Sequence, residues 1–188
     1  MIQIIAILCL AIYGAIISLL VGLKLDIAKR FGLNDTKVGL LFSSFMLAGA
    51  IGVVFLSSMI DVLGHRTVTV FGFTFTALAL LLLAFARTYR QTLVMYVVMS
   101  IGAMCIISVG NTILPHVLFN GSNESAATNL GNAFYGVGAF LVSYYLTGML
   151  LRFGYKRTVA AFSVMALICA VLSLFAEYPV IVSAFSFA

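Results

Sequence analysis

The sequence predicts an all-α membrane protein with six transmembrane helices, arranged as an inverted three-plus-three repeat. Three observations lead there. Hydrophobic residues make up 64% of the 188 and charged residues 8%, more apolar surface than a water-soluble core of this size can hide. Six runs without Asp, Glu, Lys or Arg cover residues 1–23, 38–60, 67–86, 91–123, 125–151 and 158–176, each long enough to span about 30 Å of hydrocarbon. Two loop sequences also recur at a near-constant distance along the chain.

Taken in order, the first run has no basic region before it and is too long for the apolar core of a signal peptide, so it reads as a retained membrane helix. The second is preceded by Asn34, Asp35 and Thr36, whose side chains can accept hydrogen bonds from the free amides that open a helix. Gly39/Ser43 and Ala48/Gly52 are small pairs four apart that allow close approach of a neighbour. Asp61, Gly64, His65 and Arg66 follow where the chain must leave the membrane and turn back. The fourth and fifth runs contain loop residues, with a break expected near 120–128. Beyond Glu177 lies a short apolar tail, 178–188, too short to cross and expected at the interface or against a partner. Helices are the spanning form because lipid cannot satisfy open backbone groups and no barrel-type alternation is present.

Gly32-Leu33-Asn34-Asp35-Thr36 parallels Gly121-Ser122-Asn123-Glu124-Ser125, 89 positions later. Gly64-His65-Arg66-Thr67-Val68 parallels Gly154-Tyr155-Lys156-Arg157-Thr158-Val159 with one inserted residue. Three helices separate the members of each pair, so the copies face opposite sides of the membrane. The expected units are repeat A, residues 1–86, and repeat B, residues 91–177, together one bundle over 1–177.

Residues 31–66 resemble the second helix and following loop of the major facilitator superfamily. That family carries G-x-x-x-D-R-x-G-R-R/K between helices 2 and 3, on the cytoplasmic side. Asp61, Gly64 and Arg66 keep the pattern; Ser57, Val62 and His65 depart from it. The preceding AKRFGLNDTKVGLL is similar to the family's approach to helix 2. The resemblance implies half of a transporter that rocks two six-helix halves around a midplane site. It also implies a gating loop of Asp61, Gly64 and Arg66 that latches the halves, partly by charge against helix termini. A solvated loop pair of little energetic weight is the plain alternative. NTILP at 111–115 and NLGNAFYGVGAF at 129–140 are similar to the fucose-permease branch, which implies a sugar-like substrate and proton or sodium coupling. The coupling carboxylate expected in the first or fourth helix is missing: Asp26 and Glu124 fall in loops, Asp61 and Glu177 at helix ends.

In the fourth helix Ser108, Asn111, Thr112, Pro115 and His116 share one stripe by their i, i+3, i+4, i+7, i+8 spacing. Polar groups in a membrane face a protein interior or a water-filled cavity, and Asn111 and Thr112 suit a hydroxylated or amide-bearing solute. The same stripe also serves interhelical hydrogen bonding, worth about 0.6–2 kcal/mol. A lone His116 without a carboxylate neighbour reads as a packing residue before a proton relay. Asn132 and Tyr135 in the fifth helix, among small residues that favour packing, and Tyr13 in the first complete the cavity candidates.

Enzyme classes are excluded: the sequence carries no Ser/His/Asp arrangement, metal-ligand spacing, phosphate-binding glycine loop or cofactor motif. Cys9, Cys105 and Cys169 read as unpaired small apolar residues. The net charge of +5 sits in short loops and speaks to topology and lipid headgroups rather than to nucleic acid. The positive-inside rule places both termini outside, because nine of ten basic residues fall in the first, third and fifth loops. The family pattern places the termini and the 61–66 loop in the cytoplasm, and we adopt that orientation as the expectation. Expected partners are the lipid bilayer of the cell membrane, a second six-helix half (a homodimer or separate chain) and a small solute. The alternative is a non-transporting structural or assembly subunit of a larger membrane complex.

Overall fold

The computed structural model describes residues 1–179 and 181. Its elements are α1 (Ile2–Gly22), α2 (Lys24–Phe31), α3 (Asp35–Phe85), α4 (Tyr89–Val117), a 3-10 turn at Phe119–Gly121, and α5 (Glu124–Leu174). Among the described residues five segments are long and apolar enough to cross a membrane: Ile2–Gly22, Asp35–Leu56, Ser58–Phe85, Tyr89–Val117 and Glu124–Leu174.

The helix starts follow the expected chemistry. Asn34 Oδ1 accepts from the Lys37 amide at 3.0 Å and Asn123 Oδ1 from the Ala126 amide at 3.0 Å. Thr88 Oγ1 accepts from the Gln91 amide at 3.2 Å, so α4 begins two residues before the expected 91. Each cap satisfies one of the orphan donors of a first helical turn.

The joints differ from expectation. The first loop contains α2, closed at its end by Gly32 in the left-handed conformation (φ 60, ψ 42). No open loop separates the helices at 61–66. Regular helix runs on both sides of a single residue, Gly64, at φ 77 and ψ 157. α5 is interrupted in the same way by Gly154 at φ 73 and ψ 167. These dihedrals belong essentially to glycine, so one residue does the work for which a loop was expected. The break expected near 120–128 lies earlier, between Val117 and Glu124. Of the tail, only Tyr178, Pro179 and Ile181 fall within the described residues.

Contacts between distant residues define two ends of the bundle. Gln3 Nε2 donates to the Val117 carbonyl at 2.8 Å, placing the start of α1 beside the end of α4. The Arg66 guanidinium donates to the Leu174 carbonyl, which brings the end of α5 to the Gly64 break. At the other end Tyr89 Oη donates to the Lys37 carbonyl at 3.2 Å, joining the starts of α3 and α4. Arg30 stacks over Tyr155, its guanidinium carbon 5.0 Å from the ring centroid, which brings α2 to the Gly154 break.

The core forms around α1, where Leu10, Leu19 and Leu20 are fully buried. Two crossings depend on glycine at close approach. A Cβ on Gly138 would collide with the Ala11 carbonyl where α1 crosses α5, and one on Gly49 would lie 2.9 Å from Ser100 Oγ where α3 crosses α4. Buried hydroxyls bridge the same packing: Ser100 Oγ donates to the Phe45 carbonyl at 2.5 Å and Ser163 Oγ to the Ala77 carbonyl at 2.6 Å. In lipid such bonds replace contacts that water would otherwise supply.

Candidate functional site

The α4 stripe keeps its shared face. Asn111 and His116 are exposed, while Ser108, Thr112 and Pro115 are half-buried. Thr112 Oγ1 donates to the Ser108 carbonyl at 2.9 Å, so its proton is committed within the helix and its lone pairs remain as acceptors. His116 Nδ1 lies 3.0 Å from the Thr112 carbonyl. Pro115 stands two residues before the end of a helix that continues regularly past it.

Tyr13 and Tyr135 come together, with ring centroids 5.9 Å apart and planes tilted by 37°. Gly14 makes this possible, because its missing Cβ leaves room for the Tyr135 carbonyl. Asn132 lies nearly one turn earlier on α5 and is exposed. Further along the same crossing Ser18 and Ser143 hydroxyls pair at 2.7 Å. Leu10 packs into the space left by both Gly110 and Gly131, marking where α1, α4 and α5 meet. The structure therefore yields two polar clusters, one on α4 and one on the α1–α5 crossing, flanking that junction. Among the described residues no hydrogen bond joins them.

The 61–66 segment sits at the other functional candidate. Asp61 is exposed, Gly64 supplies the break, and Arg66 reaches the last carbonyl of α5. A cation at that position complements the negative end of a helix and satisfies an orphan carbonyl. His65 is buried, with Asp61 and His116 both within electrostatic reach. A cleft of about 720 Å³ lies between this segment and the chain that follows α5, lined by Asp61, His65, Arg66, Glu177 and Tyr178 among others. The Tyr178 hydroxyl approaches Thr69 and Ser173 without reaching hydrogen-bond geometry, and burial pushes it above the ordinary phenol range. Sequence reasoning missed the Arg66–Leu174 bond, the burial of His65 and the part played by Tyr178. None has a local signal, since Arg66 and Leu174 are 108 positions apart.

The chain matches the family model of the Major Facilitator Superfamily over residues 5–184, and it belongs to that superfamily. That membership agrees with the multi-pass helical character of the chain, whose long apolar helices are of the kind that cross a membrane. Among solved structures it is similar to the xylose transporter XylE from E. coli in its inward-open conformation, with a TM-score of 0.77 and 13% sequence identity. That alignment covers 94% of this chain and 48% of XylE, so the chain spans about half the length of that structure. At this identity the likeness is one of fold. No curated protein matches the chain significantly.

Proposed function

We propose that this chain forms a six-crossing half of a secondary transporter in the cell membrane, moving a small neutral solute through a cavity shared with a second half. The second half is a homodimeric copy or is encoded in cis or in trans. The observation that carries this reading is pseudo-symmetry at the level of single residues. The caps Asn34 and Asn123 are 89 positions apart, and the breaks Gly64 and Gly154 are 90 apart with nearly the same dihedrals. The close pair Ala11–Gly138 corresponds to Ser100–Gly49 when each partner is displaced by 89. α5, at about 77 Å for its 51 residues, is far too long for one crossing. Its middle lies by α2 and its end by Arg66, which fits two crossings around Gly154. An inverted three-plus-three repeat builds its substrate site at the midplane.

The solute-facing groups in this reading are Asn111, Ser108 and Thr112 on α4 and Tyr13, Asn132 and Tyr135 across α1 and α5. Asp61, Gly64 and Arg66 act as the gating loop on the cytoplasmic side, with Arg66 linking the Gly64 break to the end of α5. The candidates include amide, hydroxyl and phenol groups and no charge, which suits a neutral hydroxylated or amide solute. Xylose, the cargo of the structurally similar transporter, heads the panel of probes.

Proteoliposome uptake of neutral pentoses, hexoses and small amides tests the proposal. One solute is expected to enter above the rate of empty liposomes, with Asn111→Ala lowering its uptake about tenfold, the scale of one lost hydrogen bond. Asp61→Asn is expected to slow uptake without changing that preference. Unchanged flux in both variants would remove the site assignment. Native mass spectrometry after mild extraction separates this reading from the structural-subunit alternative, which the absence of an acid from the interiors of the spans favours. A doubled mass, or pairing with a second six-helix unit, supports the transporter. Stoichiometric incorporation into a large unrelated assembly overturns it.

A further inference from the structure

At the end of the bundle that holds α2, a cavity of about 420 Å³ is lined by Arg30, Phe153, Gly154, Tyr155, Lys156 and Arg157. Three cations share this lining with no carboxylate among the described residues. The acid whose charge reaches it is Asp26, half-buried on α2 and sensed at Tyr155. Arg30 is held rather than free, with its guanidinium carbon 5.0 Å from the Tyr155 ring centroid and 5.3 Å from that of Phe31. Stacking of this kind fixes the planar fork and leaves its N–H edge for an acceptor. Lys156 and Arg157 lie two and three residues after the break and are exposed, and a Cβ on Gly154 would meet open space. Gathering three like charges around one concavity opposes folding by self-repulsion, and a bound anion relieves it.

The surroundings point to where the anion comes from. Leu151 is 84% exposed and Phe153 47% exposed at the end of an apolar helix, a position at the boundary between hydrocarbon and water. An apolar flank beside a cationic pocket matches a molecule with an acyl chain and an anionic head. We propose that this pocket binds phosphate as the headgroup of an anionic phospholipid, with Arg30 and Arg157 as planar forks and Lys156 as a point charge. Dissolved inorganic phosphate shares the chemistry but not the acyl contact.

Native mass spectrometry of the full chain in neutral detergent, titrated with phosphatidylglycerol or phosphatidylcholine, tests this. The intact chain is expected to prefer phosphatidylglycerol. Each cation replaced should weaken that lipid about fivefold, and Arg30→Gln, Lys156→Gln and Arg157→Gln together about 100-fold. Arg87→Gln with Arg90→Gln, at the same end but outside the pocket, should leave binding unchanged. Millimolar inorganic phosphate that fails to displace the lipid identifies the membrane as the source. Phosphate that binds alone and displaces the lipid keeps the phosphate site but makes the source a dissolved anion. Equal binding of the two lipids, or equal loss in the Arg87/Arg90 control, would overturn the proposal. Thermal unfolding of each variant guards against misfolding, and Arg30→Gln alone suffices for the decision.

Discussion

At the scale of single residues, two glycines interrupt the two longest helices. Gly64 and Gly154 occupy dihedrals near φ 75 and ψ 160, where any Cβ is strained by about 1–3 kcal/mol. Gly64→Ala and Gly154→Ala are each expected to lower stability by that amount, read as a drop in thermal midpoint in one detergent. Gly136→Ala is the control, because Gly136 is helical with open space around it. There the change should be neutral or stabilising by up to about 1 kcal/mol. What was legible at this scale was local chemistry. Asn34 could be read as a cap because capping is decided within three positions, and Gly64 as a turn because glycine tolerates what the turn demands. The Arg66–Leu174 bond and the stacking of Arg30 on Tyr155 could not be read, since each joins residues more than 100 positions apart.

At the scale of elements, crossings and ends matter more than individual hydrogen bonds. The α1–α5 crossing leaves no room at Gly138. Gly138→Leu is therefore expected to separate these helices and abolish a folded, monodisperse protein, whereas Gly148→Ala, in open space, should behave as the parent does. Size-exclusion profiles in detergent make the comparison. Arg66 ties the end of α5 to the Gly64 break. Replacing it with Gln removes a charge–dipole contact of about 0.3–1 kcal/mol, so amides from Phe175 to Tyr178 should exchange with deuterium about two- to fivefold faster. Unaltered exchange there would show that the contact restrains nothing. The uncharged runs located the first four spans well, because lipid permits little else, while the fifth and sixth runs both fall within α5. They did not reveal α2, whose KLDIAKRF is half charged and buries only Ile27. They also overstated the loops at 61–66 and 152–157, because a single strained glycine replaces several ordinary loop residues.

At the scale of the whole molecule, charge divides between the two ends. The α2 end gathers nine basic and two acidic residues, net +7, while the Gly64 end has Arg66 against Asp61, Glu124 and Glu177, net −2. Together they make the chain's +5. By the charge rule alone the α2 end faces the cytoplasm; the superfamily pattern sets the Gly64 end there. The proposed phosphate pocket gives the basic end a reason to be basic on either side, so its charge need not fix orientation. The three native cysteines are 1%, 0% and 4% exposed and give a quiet background for labelling introduced ones.

The most direct test of the six-crossing inverted half is side-specific labelling with a membrane-impermeant maleimide. Lys29→Cys, Lys156→Cys, Ser122→Cys and Glu177→Cys would be labelled one at a time, in sealed right-side-out vesicles and after permeabilisation. Positions 29 and 156 are expected to react from one side and positions 122 and 177 from the other. In the superfamily orientation the first pair reacts in intact vesicles; in the charge-rule orientation the second pair does, and the fold stands in both. Labelling of positions 156 and 177 from the same side would mean that α5 does not cross a second time after Gly154, and would contradict the inverted repeat.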